Sequence, residues 1–328
     1  MATQPPYSLK GKRVWVAGHR GMVGSALVRR LASEDCDVLT TDRSIDLRNG
    51  EAVLKWMKEA RPQGIFMAAA KVGGILANNN FPADFMYDNL AIEIAVIHAA
   101  YQTGVEKLLF LGSSCIYPRF AEQPIAESSL LTGPLEVTNQ WYAIAKIAGL
   151  KMCQAYRKQH GCDFISAMPT NLYGPGDNFA PNSSHVIPAL VRKAHDAKIS
   201  NAKKMTIWGT GNPLREFLHV DDCADALVYL MREYSDMEQV NVGSGQELAV
   251  AELARTVMRV VGFNGELCND SQKPDGTPRK LLDVSKLSGL GWRAQISLEE
   301  GLRSTYAWFL DHARDLRKRE YAESDIFR

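Results

Sequence analysis

Tyr142 and Lys146 lie four residues apart in the string YAIAK, a spacing that puts both side chains on one face of a helix. A phenol has a pKa of about 10, but a neighbouring ammonium stabilises the phenolate and favours proton exchange at neutral pH. The pair also arises by chance in ordinary helices. Ser113, in the upstream string LGSSC after a predicted strand, adds a hydroxyl that can hydrogen-bond the oxygen that Tyr142 protonates. These residues predict proton transfer to a carbonyl oxygen.

A glycine-rich string, GHRGMVG, lies between the first predicted strand and the first predicted helix. Glycines at such a turn let the backbone approach a pyrophosphate closely, and the helix N-terminus offers unpaired N–H groups to the anion. The position of the string in a strand–helix unit near the N-terminus predicts a dinucleotide site. The cofactor contacts predicted from this loop are Gly18, Arg20, Gly21, Met22, Val23 and Gly24.

The choice between NAD and NADP depends on the end of the second predicted strand. Asp42 occupies the place where an acidic residue takes the adenosine ribose hydroxyls of NAD. Arg43 is adjacent and Arg20 lies in the loop, and either guanidinium can bind a 2′-phosphate. We predict NADP(H), with Arg20 and Arg43 on the phosphate and Asp42 turned away. Asp46 and Leu47 are predicted to flank the adenine.

Strand-like and helix-like segments alternate through the first half of the chain, which predicts a parallel sheet covered by helices on both faces. The fold class is therefore α/β, a doubly wound Rossmann sheet with a smaller C-terminal α/β substrate-binding region. We place the NADP-binding domain at residues 1–170 and the substrate-binding region at 171–328, with Gln239–Val242 and Ala224–Met231 as candidates to return to the sheet. The predicted long helices are Ala83–Thr103 and Asn139–Gln159.

Composition excludes several classes of protein. The 328 residues include 38 Lys and Arg against 37 Asp and Glu, a balance that argues against a nucleic-acid partner. There is no apolar stretch long enough for a bilayer and no secretion signal, so we expect no membrane partner and a cytoplasmic location. The six cysteines include no C-x-x-C pair, which indicates free thiols rather than a disulfide framework or metal site.

The strings AGHRGMVGS, AAAKVGGIL, LFLGSSCIYP, PTNLYGP, SHVIPAL, REFLHVDD and KPDGTPRKLLD complete a pattern that extends over nearly the whole chain. With the glycine loop, Ser113 and the Tyr142–Lys146 pair, they resemble the extended short-chain dehydrogenases/reductases, and within them the GDP-L-fucose synthase family. The resemblance implies that GDP-4-keto-6-deoxy-D-mannose is epimerised at carbons 3 and 5 and then reduced at carbon 4 by NADPH. One departure is the segment Thr40–Arg43, where the family pattern is basic and poor in acids.

The resemblance also implies residue roles. From their own surroundings in the sequence, Cys115 would be a buried structural cysteine and His185 a helix-start residue; the resemblance instead makes them the acid/base pair of epimerisation. Ser113, Tyr142 and Lys146 complete the catalytic set. Further cofactor contacts implied are Leu111, Gly112, Ser113, Tyr142, Lys146, Pro169, Thr170, Asn171, Leu172 and His185. Substrate contacts implied are Ser114, Cys115, Asn171, Lys193, Trp208, Arg215 and Asp275.

Two alternatives stay open at this point. One is an epimerase/reductase for a related GDP-4-keto sugar, such as a colitose-type enzyme that acts on a 3-deoxy substrate. The other is a regulator that binds NADP without catalysis, which the presence of both Tyr142 and Lys146 disfavours. By analogy with similar enzymes, the two long helices are predicted to pair with their copies in a homodimer.

Overall fold

The computed structural model describes residues 6–41, 44–181, 183–273 and 275–326. Asp42 and Arg43, predicted to contact the ribose of the cofactor, lie outside the described residues. The main sheet is six-stranded and parallel, in the order β2-β1-β3-β4-β5-β9. Its strands are β1 (Arg13–Ala17), β2 (Asp37–Leu39), β3 (Gly64–Met67), β4 (Lys107–Leu111), β5 (Asp163–Pro169) and β9 (Val240–Val242).

The strand order changes direction between β1 and β3, which are hydrogen-bonded neighbours. In an open parallel sheet, a ligand crevice forms at such a point, outside the carboxyl ends of the strands. The interior of β1 is fully buried from Val14 to Ala17, since helices cover both faces of the sheet. The glycine loop follows β1 directly and therefore lies at this crevice.

In the part of the chain that the structure describes, ten helices pack around the strands. They are α1 (Met22–Leu31), α2 (Gly50–Ala60), α3 (Ile75–Asn80), α4 (Pro82–Gln102), α5 (Gln140–His160), α6 (Val186–Ile199), α7 (Val220–Glu233), α8 (Val250–Val261), α9 (Ser285–Leu290) and α10 (Leu298–Ile326). One apolar core joins α1 to α7 through residues such as Leu27 and Leu227. A second core, on the other face of the sheet, joins α2, α4 and α5 through Met57, Val96 and Leu150.

A smaller sheet forms beside the main one. Strand β8 (Leu214–His219) lies between β10 (Glu247–Ala249) and β12 (Arg279–Lys280) and also pairs with β6 (Asn171–Tyr173), while β7 (Lys204–Trp208) pairs with β11 (Glu266–Asp270). A third apolar core fills the space between these strands and helices α6, α8 and α10, with Leu190, Val257 and Leu302 at its centre.

The structure confirms the α/β fold class. The predicted long helices have their observed counterparts in α4 and α5, with ends displaced by one residue. Gln239–Val242 returns to the main sheet, as strand β9 pairs with β5. Ala224–Met231 does not, because it lies in α7, whose apolar side covers a face of that sheet. No helix in the part of the chain that the structure describes has the length and apolar character to cross a membrane.

Candidate active site

The glycine loop is closed by contacts that leave no room for side chains. Gly18 has a φ of +87°, and a Cβ there would lie 2.7 Å from the Ala69 Cα after β3. A Cβ on Gly24 would overlap the carbonyl oxygen of Gly18, which accepts a 3.0 Å hydrogen bond from the Gly21 amide. Helix α1 begins after Gly21 without a side-chain cap or an acidic residue in its first turn. Its first N–H groups are therefore available to an anion.

The residues around the predicted adenosine end differ in their surroundings. Arg20 is exposed, whereas Met22 and Val23 are half-buried. Asp46 accepts hydrogen bonds from the amide of Arg48 at 3.0 Å and from its guanidinium at 2.9 Å. These bonds hold the pKa of Asp46 below its usual range. Leu47 packs at the edge of the second core.

Helix α5 places Tyr142 and Lys146 at the carboxyl end of β4. The Lys146 Nζ donates a 3.0 Å hydrogen bond to the Leu111 carbonyl and lies 5.8 Å from the centre of the Tyr142 ring. Its side chain is only 2% exposed. Burial, followed by the charges of Cys115 and Glu93, raises the pKa of Tyr142 well above its usual value. This direction favours the protonated phenol, whereas the Lys146 ammonium beside the ring favours the phenolate.

Ser113 lies two residues after the end of β4 and is the N-cap residue of a short 3₁₀ turn, Ser114–Ile116. Its Oγ accepts a 3.3 Å hydrogen bond from the Cys115 amide, and both Ser114 and Cys115 are buried. Gly112 lies between β4 and Ser113, and a Cβ there would overlap the end of the Met168 side chain. Burial raises the pKa of the Cys115 thiol, and the ammonium of Lys280 is the largest influence that lowers it.

His185 is the N-cap residue of α6, and its side chain is exposed. The surrounding protein nevertheless desolvates the imidazole and lowers its pKa, and the charge of Lys280 lowers it further, which favours the neutral ring. The structure thus brings His185 and Cys115 to one ammonium, although they are 70 residues apart in the chain.

Lys280 is the residue that sequence reasoning missed. It lies on β12, in register with Arg215 on β8. Burial lowers its pKa, while the thiol of Cys115 and the carboxylate of Glu216 raise it. A signal was present, since Lys280 lies within the family string KPDGTPRKLLD. The string does not reveal that this lysine is desolvated while the neighbouring Arg279 pairs with Glu247.

The segment after β5 connects the two sheets. Pro169 is the last residue of β5, and Thr170 donates a 2.9 Å bond from its amide to the Val242 carbonyl. The Asn171 side-chain amide donates to the Glu216 carbonyl at 2.9 Å, and Leu172 is half-buried. These bonds fix the predicted nicotinamide-side segment next to β8, which also carries Arg215.

The predicted nucleotide-sugar residues form a second group. Trp208 is 51% exposed, and the ammonium groups of Lys193 and Lys273 lie 5.7 and 5.6 Å from its ring. Asp275 accepts bonds from the Thr210 amide at 2.6 Å and the Thr210 hydroxyl at 2.9 Å. Burial lowers the pKa of Arg215, and the charge of Asp275 acts in the opposite direction and raises it. Lys273 is a second lysine beside the indole that sequence reasoning did not single out.

Comparison with known proteins shows the family to which the chain belongs. Residues 14–243 match the model of the NAD dependent epimerase/dehydratase family. The chain is 60% identical over 312 residues to GDP-L-fucose synthase of Sinorhizobium fredii, covering 95% of this chain and 99% of that protein. This chain belongs to the GDP-L-fucose synthase family. The resemblance that the sequence strings indicated is therefore confirmed.

Two further relatives bear on the cofactor and on the alternative substrate. The crystal structure of a GDP-L-fucose synthetase from Naegleria fowleri bound to NADP superposes with a TM-score of 0.88 at 28% identity, covering 95% of this chain and 98% of that one. GDP-L-colitose synthase of Yersinia pseudotuberculosis is 36% identical over 302 residues, covering 91% of this chain and 98% of that protein. The colitose relative is thus much less similar than the fucose synthase relative.

Proposed function

We propose that this enzyme of the GDP-L-fucose synthase family converts GDP-4-keto-6-deoxy-D-mannose to GDP-L-fucose, using NADPH. The observation that supports it most is the 60% identity to a GDP-L-fucose synthase along nearly the whole of both chains. The reaction comprises epimerisation at carbons 3 and 5 and reduction of the 4-ketone, in one pocket formed by Cys115, Tyr142, Lys146 and His185.

The glycine loop fits NADP(H). Side chains at Gly18 and Gly24 would collide with the backbone, and the uncapped start of α1 offers N–H groups to a pyrophosphate. When bound, NADPH supplies the hydride that reduces carbon 4. Arg20, with Arg43, is our choice for the 2′-phosphate, and Lys146 for the nicotinamide ribose. The other predicted cofactor contacts, from Leu111 to Ser113 and from Pro169 to Leu172, line the carboxyl ends of β4 and β5.

In reduction, Tyr142 donates its phenolic proton to the carbon-4 oxygen. The raised pKa of the phenol keeps that proton available at neutral pH. Ser113, two residues beyond β4, donates a hydrogen bond to the same oxygen. Lys146 stabilises the phenolate that remains after the transfer, since its ammonium lies beside the ring.

In epimerisation, Cys115 and His185 exchange protons at carbons 3 and 5. Each of these carbons is alpha to the ketone, so removal of its proton moves the electron pair onto the carbon-4 oxygen as an enolate. Return of a proton to the opposite face inverts the centre and restores the ketone. Ser113 and Tyr142 donate hydrogen bonds to the enolate oxygen, and Lys280 favours the thiolate form of Cys115.

The substrate's nucleotide is assigned to the smaller sheet. Trp208 offers an exposed ring for stacking, and Lys193 and Arg215 offer cations for the diphosphate. Ser114 and Asn171 are assigned to the sugar. Asp275, which lies beside Thr210, is assigned to amino or hydroxyl donors of the substrate. This division corresponds to a nucleotide-binding domain at residues 1–170, completed by β9, and a substrate-binding region at 171–328.

We also propose a homodimer formed through α4 and α5. Tyr87, Ile94 and Tyr101 are exposed by 69%, 54% and 38% and recur every seven residues along α4, so they share one face of the helix. Trp141, at the start of α5, is 40% exposed. A second copy would cover these side chains. A cytoplasmic location is supported by six cysteines that are all free thiols.

Turnover in D₂O tests the proposed reaction. The wild type should consume NADPH and give a product with deuterium at carbons 3 and 5. Tyr142→Phe should reduce NADPH consumption by about 10²-fold or more while deuterium exchange persists, because only reduction transfers the phenolic proton and Ser113 still donates a hydrogen bond to the enolate oxygen. Cys115→Ala should stop exchange at one or both carbons with little change in NADPH affinity, whereas Cys268→Ala, a cysteine on β11, should leave both unchanged.

Three outcomes would contradict the proposal. NADPH binding without consumption would favour the regulator. Turnover confined to a 3-deoxy substrate, with deuterium at carbon 5 alone, would favour the colitose-type reaction. Normal release of epimerised product by Cys115→Ala would remove Cys115 from the acid/base pair.

A further inference from the structure

Glu93 is a buried carboxylate that the proposed mechanism does not use. It lies in the middle of α4 and is 1% exposed. Its Oε1 lies 3.2 Å from the Nζ of Lys146 on α5, and both side chains are 2% exposed. A charge in such surroundings is costly unless it is paired: burial raises the pKa of Glu93, and the ammonium of Lys146 is the largest influence that lowers it.

The neighbouring residues make space for this carboxylate. Gly149 lies on α5, three residues after Lys146, and a Cβ there would lie 2.6 Å from the Oε2 of Glu93 and 2.5 Å from the Cζ of Phe110. The Phe110 ring also lies 4.8 Å from the Lys146 ammonium. The helix that carries Tyr142 and Lys146 thus leaves a gap, at the next turn, that the Glu93 carboxylate enters.

The ion pair changes the charge that Tyr142 experiences. The titratable groups around the phenol are Cys115 on the 3₁₀ turn, Glu93 on α4 and Lys146 on its own helix, with Cys153 beside Glu93. Lys146 alone would favour the phenolate, which suits a base that accepts a proton. A carboxylate at 3.2 Å offsets that positive charge, and Glu93 itself raises the pKa of Tyr142.

We propose that Glu93 is a positioning residue that acts through Lys146: it offsets the charge of the ammonium and so keeps Tyr142 protonated for its role as the acid in reduction. This inference rests on the proposed function, in which Tyr142 donates the proton to carbon 4. Two further contacts hold the lysine in place, the 3.0 Å bond to the Leu111 carbonyl and the packing on Phe110. Removal of the Glu93 charge therefore changes the electrostatics around the phenol more than the position of the ammonium.

Two substitutions separate charge from packing. Glu93→Gln keeps the size of the side chain and removes its charge, whereas Glu93→Asp keeps the charge and leaves a small void. We expect Glu93→Gln to move the alkaline limb of kcat/KM for NADPH-dependent reduction to lower pH by about one unit, since the phenol then loses its proton more easily. Glu93→Asp should keep the wild-type limb. If Glu93 had only a structural role, Glu93→Asp would lower kcat/KM at least as much as Glu93→Gln does. The alkaline limb would then keep its wild-type pH in both variants.

The same shift should be visible without substrate. The phenolate absorbance of Tyr142, obtained by subtracting the titration of Tyr142→Phe in each background, should rise at lower pH in Glu93→Gln than in the wild type. This measurement does not depend on the sugar nucleotide, so it tests Glu93 even if the proposed reaction fails in the turnover assay. Glu127→Gln is the matched control, because Glu127 is also buried and its carboxylate accepts a bond from the Asn241 amide, and it should not move the phenol titration.

An equal phenol titration in the wild type and Glu93→Gln would overturn the inference. If Glu93→Gln does not fold, Lys146→Met and the double variant Glu93→Gln/Lys146→Met replace it. The phenol should then ionise at higher pH in the single variant, where the carboxylate is unopposed, than in the double variant. Identical titrations in those two proteins would also overturn it.

Discussion

Substitution by alanine should have different effects at two glycines of the phosphate loop, a loss of stability at Gly24 and a loss of NADPH affinity at Gly21. A Cβ at Gly24 would lie 2.6 Å from the carbonyl carbon of Gly18 and 2.7 Å from the Cα of His19, both backbone atoms that cannot rotate away. A Cβ at Gly21 would meet only the Gly18 carbonyl oxygen, at 3.5 Å, which is an ordinary contact. The methyl group of Gly24→Ala therefore collides with the backbone of the loop, whereas that of Gly21→Ala does not.

The magnitudes follow from packing. Forcing a methyl group into a filled space costs about 1–3 kcal/mol, and the gain in helix propensity from Gly to Ala returns at most about 1 kcal/mol. We expect Gly24→Ala to lower the free energy of unfolding by about 1–2 kcal/mol. Gly21→Ala should leave it within about 0.5 kcal/mol, but its methyl group lies where the pyrophosphate approaches the backbone, so NADPH affinity should fall about tenfold or more.

Urea unfolding of the ligand-free proteins, together with fluorescence titration by NADPH, measures both effects. Gly289→Ala on α9 is the matched control, because a Cβ there meets nothing within 4 Å, and both stability and affinity should be kept or slightly improved. The reasoning is refuted if Gly24→Ala unfolds at the wild-type urea concentration. It is equally refuted if Gly21→Ala destabilises the ligand-free protein as much as Gly24→Ala does.

Two further predictions concern buried charges. Burial raises the pKa of Asp177 to about 7, whereas in the unfolded chain the same carboxyl loses its proton at about pH 4. As pH rises from 4 to 7, the wild type should therefore lose stability relative to Asp177→Asn. Urea unfolding should show a loss of up to about 4 kcal/mol. A constant difference across that range would contradict this. Lys280→Met should move the pH midpoint of Cys115 alkylation by iodoacetamide upward by about one unit. Arg279→Met, whose arginine pairs with Glu247, should not move it.

The local sequence determined the parts of this protein that depend on neighbouring residues. The glycine loop, the Tyr142–Lys146 pair and the alternation of strands and helices predicted the α/β fold and the crevice at the end of β1. Helix spacing and turn geometry act over a few residues, so they are visible in one dimension. The ends of α4 and α5 were predicted to within one residue for the same reason.

Only the tertiary structure decided which charges meet. Glu93 and Lys146 are 53 residues apart, and Lys280 is 165 residues beyond Cys115, so no spacing rule connects them. The structure likewise showed that Asp275 is bonded to Thr210 and Asp46 to Arg48. The pKa of a side chain depends on its desolvation and on charges a few ångströms away, and packing between distant segments sets both. For this reason candidate residues of the site could be proposed from the sequence, while the direction in which burial and neighbouring charges shift the pKa of Tyr142 could not.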